Sequence, residues 1–328
     1  MSTMRAATYE REGTAADVLQ VHDIDLPVVG AGEVLVRVIA SAINPTDVKT
    51  RAGMTPRPID GFQVPHMDGA GIIEAVGAGV PDARIGERVW LMTAAAGNRW
   101  GTAAQFCVVP AERARPLPDD VSFEVGATLG VPAVTAAYCL FSDGPIGGRT
   151  VLVAGGAGAV GRSAVELAHW GGARVATTVS GPEKAAIAAS AGADFVVNYR
   201  EPGAAEAILE WSGGRVDRVV ELALGPNLDL DLAVCAPGAV VITYAIDGPD
   251  PVIPVRRCMF GGITLRFMLL YRVAPDALAR AADDVSAALA SGALTLPPVT
   301  RFSLADVVAA QEAQEAGPLG RVLVDPWA

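Results

Sequence analysis

Seven residues in the middle of the chain, Gly155-Gly156-Ala157-Gly158-Ala159-Val160-Gly161, follow the apolar run VLVAG (151–155) and precede a helical pattern. Gly155, Gly158 and Gly161 recur at three-residue spacing, and Gly156, Gly158 and Gly161 satisfy G-x-G-x-x-G. A strand–turn–helix joint of this composition leaves backbone N–H groups bare and places a helix dipole behind them. The chemistry it suits is binding of a dinucleotide pyrophosphate. Alone, such a pattern in a glycine-rich chain is also a tight turn that packs helix on strand. The second strand that follows in register favours the nucleotide.

The end of that second strand bears on which dinucleotide is bound. A carboxylate about 20 residues after the glycines would hold a ribose 2′-hydroxyl. Thr178-Val179-Ser180-Gly181 stand there instead, and Lys184 follows in the first turn of the next helix. A hydroxyl and an ammonium suit a 2′-phosphate, so NADPH is expected over NADH, with Ser180 and Lys184 as contacts. The next strand ends in Asn198-Tyr199-Arg200, which adds a phenol and a guanidinium to the same adenosine pocket. Glu183 weakens the field, and each of these residues taken singly also reads as a solvated loop. Arg162 is expected on the helix surface.

Metal and nucleophile chemistry are poorly supplied. The histidines are His22, His66 and His169, and the four cysteines, Cys107, Cys139, Cys235 and Cys258, form no C-x-x-C pair. Burial as small hydrophobes is the expected role of the thiols. With no serine-hydrolase elbow and no metalloprotease helix motif, a cofactor carrying the reaction is what remains.

These residues must be held by a chain of 328 residues, 51% hydrophobic and 19% charged, which is enough for two domains or one large α/β unit. A net charge of −11 repels phosphate backbones and anionic lipid, so neither nucleic acid nor membrane is an expected partner. No apolar run nears the ~20 residues of a membrane span, and MSTMRAATYEREG lacks a signal-peptide pattern, so a cytoplasmic location is expected. The first third reads as β-rich, at 3–9, 18–25, 33–41 and 71–76, and suits a barrel-like antiparallel domain. From about 125, strands alternate with alanine-rich helices, the pattern of βαβ units on a parallel sheet. The expected strands are VLVAG, ARVATTV (173–179), DFVVN (194–198), DRVVEL (217–222), AVVITYA (239–245) and ITLRFMLLY (263–271). The expected helices are GRSAVELAHWGG, PEKAAIAASAGA and the amphipathic PDALARAADDVSAALASG. The tail from about 293 returns to strand, helix and strand.

Several segments together resemble a family: the zinc-free quinone oxidoreductases, zeta-crystallin-like members of the medium-chain dehydrogenase/reductase superfamily. They are GEVLVRVIASAINPTDVKTRAG (32–53), VPHMDGAGIIEAVGAGV (64–80), IGERV (85–89), GTAAQFCVVPAER (101–113), GATLGVPAVTAAY (126–138), VLVAGGAGAVGRSAVELA (151–168) and GRVLV (320–324). The resemblance implies an α/β fold, a Rossmann doubly wound parallel sheet plus a GroES-like β-barrel catalytic domain. It places the catalytic domain at 1–124, rejoined by about 266–328, around an NADPH-binding domain at 125–265. Zinc dehydrogenases of the superfamily carry a cysteine where this chain has Asn44, and Gly-His-Glu where it has His66-Met67-Asp68. An amide and a thioether hold Zn²⁺ poorly, so zinc-dependent alcohol oxidation is disfavoured. His66 is one position out of register and reads as a cleft or packing residue.

By the same resemblance the catalytic positions are Asn44, Lys49 and Asp68, with Lys49 standing where many relatives have tyrosine. The cofactor contacts implied beyond the glycine turn are Thr135, the loop residues Leu224 and Asn227, Tyr244 and Ala245 after the fifth strand, and Phe267, Met268 and Leu269. Asn44 also reads as a helix cap, Asp68 as an acceptor for backbone donors, and 267–269 as sheet core. The expected activity is NADPH-dependent reduction of a quinone or similar conjugated carbonyl, with Asn44 and Lys49 stabilising charge on oxygen. The alternatives are an enoyl or 2-alkenal C=C reductase and a non-catalytic, crystallin-like or redox-sensing NADPH binder. An exposed edge formed by ITLRFMLLY leads to an expected homodimer.

Overall fold

The structure is a computed structural model that describes residues 3–214, 216–246 and 248–328. The chain divides into two compact units, Met1–Val131 with Leu296–Ala328, and Pro132–Thr295.

The first unit begins with β1 (Thr3–Thr8), α1 (Ala15–Val18) and β2 (Gln20–Asp25), the two strands pairing antiparallel. There follow β3 (Glu33–Ile43), α2 (Pro45–Arg51), β4 (Asp68–Val76), β5 (Arg88–Leu91), β6 (Phe106–Pro110), β7 (Ala114–Pro116), α3 (Phe123–Ala127) and α4 (Gly130–Phe141). β3 is the spine. Its alternating Val34, Val36 and Val38 are fully buried in an apolar cluster with Ile73, Val89, Leu91 and Val109, as a half-buried strand requires. From Ala40 through Ile43 the strand is buried on both faces, which delivers Asn44 and α2 into the interior. Pro45 at the first helical position fixes where α2 starts.

The second unit runs β8 (Thr150–Val153), α5 (Ala159–Trp170), β9 (Arg174–Val179), α6 (Pro182–Ser190), β10 (Phe195–Asn198), α7 (Ala204–Ser212), β11 (Val216–Glu221), α8 (Leu224–Val234), β12 (Cys235–Thr243), α9 (Val255–Gly261), β13 (Thr264–Phe267) and α10 (Pro275–Ala290). Its six strands are all parallel in the order β10-β9-β8-β11-β12-β13, the doubly wound arrangement in which ligands sit at the carboxyl ends of the strands. The tail supplies β14 (Val299–Ser303), α11 (Val307–Glu315) and β15 (Arg321–Asp325). β15 pairs antiparallel with β3, so the tail completes the sheet β14-β15-β3-β4-β5-β7 of the first unit, with β6 also on β3.

Four expectations need correction. The return to the first unit falls at Leu296, not near 266, because β13 pairs with β12 and α10 packs on α5. The first unit also runs on to Val131, past 124, because the start of α4 is tied to β4. The strand expected over 263–271 is only Thr264–Phe267, followed by a single 3₁₀ turn at Leu270–Arg272. Leu224-Gly225-Pro226-Asn227 is the first turn of α8 rather than a loop, since Leu224, Leu228 and Leu232 recur every four residues and pack together in the core.

Candidate active site

The glycine turn between β8 and α5 is too tight for side chains. Gly155 has φ +68°, and a Cβ at Gly161 would lie 2.2 Å from the Gly155 carbonyl oxygen. At Gly156 it would lie 2.1 Å from Thr177 Oγ1, which itself donates to the Val153 carbonyl at 2.7 Å. The Gly155 N–H donates to Thr178 Oγ1 (3.2 Å), so β9 ties down the start of the turn. At its end, Gly158 is the N-cap of α5 and offers no side chain; the first intrahelical bond runs from Arg162 N to Gly158 O (2.8 Å). The N–H groups of Ala159, Val160 and Gly161 therefore stand at a bare helix N-terminus of a twelve-residue helix. That is a cradle for a doubly charged anion.

Arg162 does not reach toward it. The residue is buried, and its guanidinium donates to Glu166 Oε1 (3.0 Å), Ser190 Oγ (3.0 Å) and Thr295 Oγ1 (2.6 Å), so the expected surface position is wrong. At the adjacent carboxyl ends of β9 and β10, the Tyr199 N–H bonds the Val179 carbonyl (3.1 Å), which sets Ser180 beside Tyr199. Lys184, Tyr199 and Arg200 are exposed there, and no carboxylate closes β9. Lys184 and Lys49 are the only two lysines in the chain.

The remaining expected cofactor residues fall into three kinds. Thr135 is buried in α4, and Leu224 faces the core. Asn227 Nδ2 donates to Glu221 Oε1 (3.0 Å), and Tyr244 N to the Glu221 carbonyl (3.1 Å), so Glu221 at the end of β11 anchors both. Burial pushes the carboxyls of Glu221 and its neighbour Asp231 upward; the Glu221 charge raises Asp231 further, while the hydrogen bond with Asp231 opposes the rise at Glu221, so the proton the pair retains sits on Asp231. Ala245, Phe267 and Leu269 are exposed, while Met268 is buried with its N–H on Thr243 O (2.9 Å).

In the first unit, sheet register gathers a second constellation. Ala42 pairs with Asp68 across β3–β4, and Ile43 with Val322 across β3–β15, which brings Asn44, Asp68 and Arg321 together from positions up to 277 residues apart. Asn44 Nδ2 donates to Asp68 Oδ2 (2.7 Å), and Arg321 Nη1 donates to Asn44 Oδ1 (2.9 Å) while Nη2 lies 3.4 Å from Asp68 Oδ2. Asp68 Oδ1 accepts the Val131 N–H at the start of α4 (2.8 Å), where a Cβ on Gly130 would sit 2.1 Å from that oxygen. Asp47 Oδ2 accepts the Asn44 N–H (2.8 Å), the returning half of a capping box. All four side chains are buried. Burial raises Asp47 to about 8 and Asp68 to about 6, with the Asn44 N–H and Arg321 respectively opposing the rise, and it lowers Arg321.

Two of the three expected catalytic residues therefore meet, and the third does not join them. Asn44 has both amide ends committed to Asp68 and Arg321, so it holds the cluster together rather than presenting a free donor. Lys49 stands on the exposed side of α2 in the wall of a surface hollow of about 600 Å³, with Pro45, Ala52, Met54 and Glu315. Arg321 was visible in sequence only as part of GRVLV; nothing local signals its partnership with Asp68. Of the cysteines, Cys107 and Cys139 are fully buried, and Cys235 and Cys258 are half-buried against the apolar core of the second unit.

The residues at the position of a dehydrogenase zinc site do not fit the metal. Asn44 and Met67 are weak donors, and a guanidinium already bonds to Asn44 Oδ1 and faces Asp68. Among the described residues no group of three or more His, Cys, Asp and Glu could hold a metal ion.

Residues 30–119 match the alcohol dehydrogenase GroES-like domain, and residues 159–287 match the family described as zinc-binding dehydrogenase. The chain is 31% identical to the quinone oxidoreductase of Mus musculus over 71% of its own length and 70% of that protein's. A solved mycobacterial quinone oxidoreductase covers 98% of this chain and 100% of its own at 32% identity, with a TM-score of 0.86. A mycobacterial protein solved in complex with NADPH matches over the same shares at 32% identity and a TM-score of 0.83.

The raised carboxyls set a pH dependence. A carboxyl whose folded pKa lies above its unfolded value holds a proton on folding, so its contribution to stability is complete below about 4 and is lost as pH rises through the folded value. For Asp68 and Asp47 that window ends near 6 and near 8. Asp47→Asn keeps an acceptor for the Asn44 N–H and removes the titration. Urea midpoints measured from pH 4 to 9 should fall less steeply for the variant than for the parent, and parallel curves would refute the assignment.

Proposed function

Because the chain belongs to the quinone oxidoreductase family of the medium-chain dehydrogenase/reductase superfamily, we propose that it is an NADPH-dependent enzyme that reduces quinones or similar conjugated carbonyl compounds without zinc. The observation that carries the nucleotide half of this reading is the uncapped α5 N-terminus behind a turn that only glycine can form. When bound, NADPH supplies a hydride from its nicotinamide ring.

The chain's own residues do the rest. The N–H groups of Ala159, Val160 and Gly161 hold the pyrophosphate, and Ser180, Lys184 and Tyr199, with Arg200, receive the 2′-phosphate. Glu221 keeps Asn227 and the Tyr244 backbone in place along the nicotinamide end, where Thr135, Ala245 and Phe267-Met268-Leu269 complete the contacts. The Asn44–Asp68–Arg321 cluster fixes the start of α2, and Lys49 contributes an exposed positive charge on the same helix. A quinone accepts hydride readily, so binding and orientation suffice, with the product oxyanion taking its proton from water. Donor chemistry around Asn44 supports catalysis without zinc.

A fluorescence titration with NADPH and NADH, followed by turnover with quinones, enones and enoyl thioesters, tests this. NADPH should bind at least tenfold more tightly. Lys184→Glu should remove about tenfold of NADPH affinity, or ~1.4 kcal/mol, and leave NADH nearly unchanged. Binding without turnover of any acceptor would instead support a sensor, and activity confined to enoyl thioesters would support a C=C reductase.

The same proposal includes a cytoplasmic homodimer. β13 ends its sheet, bonded to β12 alone among the described residues, and Phe267 on it (69% exposed), with Met259 (76%) and Phe260 (80%) on the preceding α9, presents exposed apolar side chains. Sedimentation should give twice the chain mass for the parent and a shift toward monomer for Phe260→Glu; a monomeric parent would end the idea.

A further inference from the structure

His66 is fully buried and has φ +78°, in the left-handed region that residues other than glycine seldom enter. Both of its ring nitrogens are bonded: Nδ1 to Ser41 Oγ at 2.9 Å and Nε2 to Gln311 Nε2 at 3.2 Å. We infer that His66 is a positioning residue, locked as its neutral Nδ1–H tautomer in a one-way hydrogen-bond chain that runs from the Arg51 guanidinium to the Asp68 backbone carbonyl.

The tautomer is fixed from both ends. Arg51 Nε donates to Gln311 Oε1 (2.8 Å), so the other end of that amide, Nε2, faces the ring as a donor and His66 Nε2 must accept. From the far end, Thr102 Oγ1 spends its hydrogen on the Asp68 carbonyl (2.5 Å). It must therefore accept from Ser41 Oγ, 2.8 Å away, and Ser41, its own hydrogen spent, must accept from His66 Nδ1–H. The two deductions start from different residues and agree at the ring. A protonated ring would set two donors against each other at Gln311, and burial independently lowers the His66 pKa to about 3.

The chain explains what the strained backbone is for. Arg51 is held by the Gly13 carbonyl and Glu315 as well as by Gln311, so the chain starts from a fixed cation shared by α2 and α11. It ends on the residue whose carboxylate carries Asn44, Arg321 and the Val131 N–H. His66 thus links the α2–α11 contact to the orientation of Asp68. The bonds of the chain itself, from Arg51 Nε to the Asp68 carbonyl, are all buried within the first unit.

Long-range ¹H–¹⁵N correlation of the folded protein should show His66 Nδ1 protonated and Nε2 bare, unchanged from pH 5 to 8. An Nε2–H tautomer or an imidazolium at pH 7 would overturn the inference. Gln311→Glu replaces the donor with an acceptor beside Arg51, so the ring should turn up protonated at Nε2; a ring that stays bare there also overturns it. The kinetic arm rests on the function proposed above. Ser41→Ala and His66→Gly should each lower kcat for quinone reduction about tenfold while leaving KM for NADPH within about twofold, as expected when a supporting contact shifts a site. His66→Asn, which tolerates left-handed backbone and can donate to Ser41, should restore part of the loss. Parental kcat in both chain-breaking variants would remove the positioning role. The spectroscopic arm needs no turnover, so a protein that reduced no quinone would still decide the tautomer.

Discussion

A buried ion pair with no spare partners organises the first unit. Arg321 and Asp68 are both out of water, and such a pair repays its desolvation only when the remaining donors and acceptors are also met. Here they are met largely by neighbours that register supplies: the Asn44 amide spans the two, and the Val131 N–H takes the second Asp68 oxygen. The interaction ties together three strands and the beginnings of two helices. Its yield is a unique arrangement more than raw stability, because any slip of β15 against β3 leaves a charge stranded.

The second unit solves the opposite electrostatic problem. Where the first unit pairs both ends of the Asn44 amide and both Asp68 carboxylate oxygens, the second leaves the α5 N-terminus without a cap. Glycine permits this at Gly155 and Gly161, where backbone passes backbone with no room for a methyl group. Unmet N–H groups at a strand end in a doubly wound sheet are a binding site held ready, and unmet charges in a barrel interior would be a defect. One chain thus carries a saturated core and an unsaturated rim, and the division follows from whether a ligand is to supply the missing partners.

Much of this was legible in the sequence. The alternation in β3, the apolar strands of the parallel sheet and the helices α5, α6 and α10 follow from periodicity, and the glycine turn announced its own geometry. What was not legible depended on distance along the chain. Arg321 lies 253 residues from Asp68, and no local pattern couples them. Arg162 reads as a surface residue because arginine usually is one, until Glu166, Ser190 and Thr295 are seen to surround its guanidinium. Leu224-Gly225-Pro226-Asn227 reads as a loop because glycine and proline interrupt it, yet proline in a first helical turn costs no hydrogen bond. The resemblance groups Lys49 with Asn44, and the turn of α2 carries it to the exposed side instead.

The tail's contribution to the first unit also sets an order of events during synthesis. Pro132–Thr295 is continuous, so every contact of the parallel sheet is available before the ribosome has made residue 296. Asp68 emerges early and waits for Arg321, which is made only after the whole of Pro132–Thr295. Until then the nascent first unit carries a carboxyl without its countercharge and a β3 edge without its neighbour. Completion of the first unit therefore comes after synthesis of the second, and a chain cut short of β15 has the parallel sheet whole and the first unit open.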